Sequence, residues 1–321
     1  MKQHIYFTYK KNTFSIPNEW HLLTSDQFLY LCGLIEKFSN GDLSAGMVKA
    51  LYVCKIMNWN PFKITNKDAL SNLAMLSEQI TFIFNINYPN DVLESLSEQE
   101  KAIFKKVSPQ SSDLTIARYL AKQKYTFTID SCFCAQLLPE IKIGNKKIKS
   151  YSINTDFNRL TSSLTAMQYI DACELLGGEK ESLPVLASIL YYEGAYNSQK
   201  AHIESNKFNS LPLITLQAIA LNFISFNNYI LRKTPYSLLI SAKSKKTGSI
   251  TLGPVESLYN LSADGFGDIC VVEQMNLFQY LDLCKKKTID TIKGMNDAKI
   301  KITEIEEKTG MPINIIEEIL K

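Results

Sequence analysis

Three segments of this chain read alike, and that repetition limits what it can fold into. They are Leu23-Thr24-Ser25-Asp26-Gln27-Phe28-Leu29-Tyr30-Leu31-Cys32, Leu164-Thr165-Ala166-Met167-Gln168-Tyr169-Ile170-Asp171-Ala172-Cys173 and Met275-Asn276-Leu277-Phe278-Gln279-Tyr280-Leu281-Asp282-Leu283-Cys284. The shared order is apolar, Thr or Asn, two variable residues, Gln, aromatic, aliphatic, two variable residues, Cys. Thr24, Thr165 and Asn276 suit the N-cap of a helix, because a side-chain oxygen there accepts from an orphan backbone N–H. Gln27, Gln168 and Gln279 fall at N3, where the amide reaches back to the N–H of the cap residue and completes a capping box. The apolar residue before each cap and the aromatic at N4 are the two halves of a hydrophobic staple. Each cysteine follows the aromatic by four residues and so shares its helical face. Capping accounts for the whole spacing, so each cysteine reads as a small buried residue rather than as part of a shared site.

The first two copies also share what precedes them. Ile5-Tyr6-Phe7-Thr8-Tyr9, Lys10-Lys11-Asn12 and Thr13-Phe14-Ser15-Ile16 read as a β-hairpin. Tyr125 to Ile129, Ile141-Lys142-Ile143, a turn at Gly144-Asn145 and Lys147 to Ile153 read as strands before the second helix. The expected fold is therefore mainly α with small β elements (α+β). A unit of β-hairpin followed by capped helices is duplicated, and a C-terminal helical segment follows. The expected division is 1–122, 123–240 and 250–321. In the first unit, helices are expected over Ser44–Met57 and Leu70–Phe84, with polar helix and linker over 91–124. In the second, Leu183 opens a helix through Tyr192, Asn197 to Phe208 is polar helix, and Pro212 to Leu231 is the main core helix. The basic stretch Ala242 to Ser249 reads as an exposed, mobile loop. Two short helices broken at Gly310-Met311-Pro312 end the chain.

Several chemistries lack their residues. The three histidines, His4, His21 and His202, have no patterned metal or triad neighbour. Cys132 and Cys134 alternate in an expected strand, but no second Cys or His pair stands at zinc-binding spacing. Gly265-Phe266-Gly267 lacks the strand-to-helix context of a phosphate loop, and no Gly-x-Ser-x-Gly elbow occurs. No catalytic residue, cofactor site or metal site is assigned, and the chain is not expected to be an enzyme. Net charge is +3 on 35 basic and 32 acidic residues, too near balance to call for nucleic acid or a membrane surface. Residues 302–319 have a helix-turn-helix outline, but Glu317 and Glu318 on the would-be recognition helix oppose phosphate. The apolar run Leu211–Leu231 carries Gln217, Asn222, Asn227 and Asn228, which favours a buried core helix over a membrane span. Seven cysteines, an odd number, and a start at Met1-Lys2-Gln3-His4-Ile5 without an apolar leader point to a reducing cytoplasm.

Three further stretches stand out together. They are Ile16-Pro17-Asn18-Glu19-Trp20 with Leu23-Thr24 and Gln27-Phe28; Leu183 to Tyr191 with Phe208-Asn209-Ser210-Leu211-Pro212 before an apolar helix; and Ser257 to Ser262 with Gly265-Phe266. In these the chain resembles the tail assembly chaperones and related tail proteins of long-tailed phages and prophages, especially those of Bacteroidetes-like hosts. The resemblance implies a cytoplasmic assembly factor that binds a tape-measure or other tail protein. A structural tail or baseplate subunit is the alternative, and a DNA-binding regulator the third reading. The partner is expected to be a protein, with homo-oligomerisation left open. A chaperone of this kind would offer apolar grooves to an amphipathic helix of its client. The candidate groove residues are Trp20, Phe28, Trp59 and Phe62 in the first unit, and Tyr191, Tyr192, Tyr196, Phe223 and Phe226 in the second.

Overall fold

A computed structural model describes residues 3–9, 11–89, 92–94, 96–156, 159–241 and 255–321. The basic stretch expected to be a loop, 242–249, lies outside these residues. Helices take 57% of the chain and strands 11%, all in two-stranded ribbons, so the fold is mainly α with small β elements. It forms two compact units, Met1–Phe133 and Cys134–Lys321. The C-terminal helical segment belongs to the second.

In the first unit, β1 (His4–Tyr9) and β2 (Asn12–Pro17) form the expected hairpin, with Lys11 at positive φ in its turn. Helix α1 (Ser25–Ser39) opens with a complete capping box. Gln27 N donates to Thr24 Oγ1 at 3.3 Å, and Thr24 N donates to Gln27 Oε1 at 3.0 Å. Helix α2 (Ala45–Ile56) is capped by Ser44, and α3 (Lys67–Glu78) by Asn66. The helix expected over 70–84 stops at Glu78. Beyond it, Ile80, Phe82, Ile83, Phe84 and Ile86 are all buried, and Phe84–Asn87 is a strand, β3. Dense β-branched and aromatic residues at this point favour an extended chain over continued helix. Strand β3 pairs with β4 (Thr126–Ile129), the stretch read from sequence as opening the second repeat. Between them, α4 (Glu98–Phe104) and α5 (Ala117–Leu120) cover a small core of Ile86, Tyr88, Leu96, Phe104 and Leu120. Cys132 and Cys134 lie in irregular chain, not in the expected strand.

The second unit begins with the hairpin β5 (Glu140–Ile143) and β6 (Lys146–Lys149), turned at Gly144 with φ +58°. A short ribbon, β7 (Ile153–Asn154) with β8 (Thr161–Ser162), leads to α6 (Ala166–Glu174). Helices α7 (Leu183–Leu190), α8 (Ser198–Glu204) and α9 (Leu213–Lys233) follow. By length and composition α9 passes for a membrane span, and nine of its residues are buried. Asn222 explains how an amide sits in that face. Its Oδ1 accepts from Leu137 N at 2.8 Å, and its Nδ2 donates to Ala135 O at 2.7 Å. After α10 (Leu238–Ser241) come α11 (Glu256–Ala263), α12 (Ile269–Glu273) and α13 (Leu277–Asp297). Then α14 (Ile302–Thr309) and α15 (Ile313–Leu320) pack on α13 around Ile292, Ile305, Met311 and Ile316, with Gly310 left-handed between them.

The second and third helix starts meet each other. Thr165 and Asn276 form an antiparallel bridge, in which Ala166 N donates to Met275 O at 2.8 Å and Leu277 N donates to Leu164 O at 2.9 Å. Neither start completes the expected capping box. Gln168 is buried and donates to Ile189 O at 2.6 Å. Asn276 accepts from Phe278 N at 3.0 Å, and its amide donates to Ser162 O at 2.7 Å.

Candidate binding groove

A groove of about 900 Å³ lies in the first unit between the β1–β2 hairpin and α3. Its formation follows from three local choices. The hairpin alternates, which puts Phe7 and Phe14 opposite one another with ring centroids 5.5 Å apart. Helix α2 ends at Ile56, and Asn58 turns the chain at φ +53°. That turn brings Trp59 edge-on to Phe7 at 6.3 Å. Asn60-Pro61-Phe62 then forms a tight turn, in which Phe62 N donates to Asn60 Oδ1 at 3.0 Å. Helix α3 supplies the far wall with Ala69, Leu73, Met75 and Leu76, and Asn58, Asn60, Asn66, Asn72 and Gln79 add amides. With Ile64, Lys63 and Asp68 also in its lining, the result is a trough that mixes apolar and polar side chains, a form that can take an amphipathic helix. Met75 within it is exposed, and so is Leu70 on α3, while Phe62 in the preceding turn is 91% exposed.

The nine expected groove residues divide sharply. Trp59 lines the groove and Phe62 stands next to it in the Pro61–Lys63 turn. Trp20 and Phe28 lie in the core of the same unit. Trp20 stacks on Phe133 at 4.7 Å and meets Phe82 edge-on at 5.0 Å. In the second unit, Phe223 and Phe226 are fully buried against Tyr151. Tyr191 is buried and donates to Leu138 O at 2.6 Å, and buried Tyr196 donates to the Asp171 carboxylate. Tyr192 is half-buried at a smaller cavity of about 420 Å³ with Lys146, Glu193, Glu204 and Lys207. There Lys146 pairs with Glu193 and Lys207 with Glu204, so its charges are already matched. Phe7, Leu73, Met75 and Leu76 were not among the expected residues. The hairpin alternation marks one face for Phe7, but the separation between hairpin and α3 has no local sequence signal.

Among the described residues no group of three or more His, Cys, Asp or Glu could hold a metal ion. Burial pushes the Cys134 thiol up to about 11 and the Cys173 thiol up to about 12, and raises Cys32, Cys54 and Cys284 as well. Those five remain protonated at neutral pH, the opposite of an activated nucleophile. Lys49 is buried on α2, and desolvation lowers its pKa against the pull of Glu78. Comparison of the chain with protein families, with curated proteins and with solved structures finds no match.

Proposed function

We propose that this chain is a protein-binding assembly factor whose first unit takes an amphipathic client helix into the groove between the hairpin and α3. The observation that carries this reading is the trough itself, with Phe7, Trp59, Leu73 and exposed Met75 in its lining and exposed Phe62 beside it. Side chains that reach water at such a density are placed for a partner rather than for the core. The resemblance to phage tail assembly chaperones supplies the client class, a tape-measure or other long helical tail protein in the cytoplasm of the producing cell. Glu317 and Glu318 are both exposed on α15, which weighs against the DNA-binding reading.

The test is a tagged pull-down from producing cells beside mass spectrometry of purified particles. Co-purification with a helical tail protein, together with absence from particles, supports the chaperone. Stoichiometric presence in particles makes the chain a tail or baseplate subunit instead. Trp59→Ala and Phe62→Ala are expected to weaken client capture at least tenfold, on the scale of an interface hot spot.

A further inference from the structure

Helix α3 turns two rows of side chains toward the groove. Ala69, Leu73 and Leu76, spaced four and three residues apart, make an apolar row. Asp68, Asn72, Met75 and Gln79 make the row beside it, and Met75 is its one apolar member. Gln79 follows the last residue of α3 and keeps helical dihedrals. The amides of the groove are not equivalent. Asn60 Oδ1 accepts from Phe62 N at 3.0 Å and Asn66 Oδ1 from Asp68 N at 2.8 Å, so these two hold their own turns. Asn72 and Gln79 are exposed, and among the described residues neither side chain makes a hydrogen bond. Water satisfies both in the free protein. A helix laid along the two rows covers these amides and takes that water away. Each amide offers a donor and an acceptor, and each end then needs a partner. A carboxylate answers only the N–H and an ammonium only the C=O, and either brings a charge that the amide does not neutralise. A neutral amide or hydroxyl answers both ends.

We propose that the groove selects amphipathic helices whose polar edge is neutral, with two amide- or hydroxyl-bearing residues seven apart that meet Asn72 and Gln79. This rests on the reading of the groove as a client-helix site and names the chemistry of the client. Seven helical residues rise about 10.5 Å, so the two contacts fall two turns apart on one face of the client. The apolar row, with Phe7 and Trp59 across from it, supplies affinity, and Asn72 and Gln79 set the choice among helices.

Three synthetic peptides test this on the full chain. Each is an amphipathic helix of about 18 residues, long enough to hold helical structure, with the same leucine stripe. They differ only in carrying Gln, Glu or Lys at two edge positions seven apart. Fluorescence anisotropy of the labelled peptides at about 0.15 M salt reads affinity. Shielding of Trp59 from iodide reads the site, since Trp20, the other tryptophan, is buried. The Gln peptide is expected to bind at least about fivefold tighter than either charged peptide. In the double variant Asn72→Asp with Gln79→Glu the order is expected to turn in favour of the Lys peptide, a change that misfolding does not produce. Shielding of Trp59 with a charged peptide bound as tightly as the Gln peptide would overturn the selection and leave the groove as a helix site. If no peptide shields Trp59, the groove reading itself fails and the selection fails with it.

Discussion

Gln27 and Gln168 occupy the same position in two near-identical helix starts and carry different loads. Gln27 is exposed in part, and its bond to Thr24 N replaces one that water could make. Gln168 is buried, and its amide satisfies Ile189 O at the end of α7. Gln27→Ala is therefore expected to cost about 0.5 kcal/mol, and Gln168→Ala about 1–1.5 kcal/mol because it removes a buried bond from Ile189 O and leaves that carbonyl only backbone N–H partners at Tyr191 and Tyr192. Urea denaturation of both variants measures the difference, and equal costs would show that the buried bond adds nothing. Lys49 gives a second single-residue case. Burial holds its folded pKa below the ordinary value of 10.5, with Glu78 acting in the other direction. Between the folded value and 10.5 the unfolded chain binds more protons, so this group makes stability rise with pH across that window. Lys49→Met is expected to raise the urea midpoint at pH 7, and the gain shrinks as the pH approaches about 10. A gain that does not change with pH would place the benefit in packing instead.

At the scale of elements, Asn222 ties α9 to the chain at Ala135 and Leu137 by two bonds. Asn222→Leu keeps the volume and removes the amide partner of Leu137 N in the core and of half-buried Ala135 O, with an expected loss of about 1–3 kcal/mol. A calorimetric scan that shows no change in unfolding temperature would mean water replaces the amide. The same residue shows why elements were legible and their partners less so. Periodicity located α2 and α9 and caps located α1, α6 and α13, because helix signals are local. Strand pairing is not local. Nothing near Thr126–Ile129 says that it pairs with Phe84–Asn87 across 38 intervening residues instead of with the strands that follow it. Likewise the three capping motifs specify three helix starts, but tertiary context turned Gln168 toward Ile189 and paired Thr165 with Asn276. Asn276→Ala removes both its cap bond and its bond to Ser162, and is expected to destabilise the second unit by about 1–2 kcal/mol.

At the scale of the whole molecule, aromatic residues were the natural candidates for a binding surface, and most of them proved to be core. Size and hydrophobicity say that a side chain is valuable when buried, without saying whether its own chain or a partner buries it. What separates Phe62 from Phe226 is backbone context. Phe62 follows Asn60-Pro61 in a turn that holds it outward, whereas Phe226 lies on the inner face of a long helix. This difference gives a paired prediction that separates folding from binding. Phe226→Ala removes a fully buried ring and is expected to cost about 3–5 kcal/mol in the second unit. Phe62→Ala, at 91% exposure, is expected to change stability by no more than about 0.5 kcal/mol while it weakens client capture. Urea midpoints and pull-down yields measured on the same two proteins decide the matter. If Phe62→Ala unfolds the first unit, the ring is structural. If it leaves both stability and capture unchanged, the groove is not where the client binds, and the protein-binding reading loses the observation that carries it.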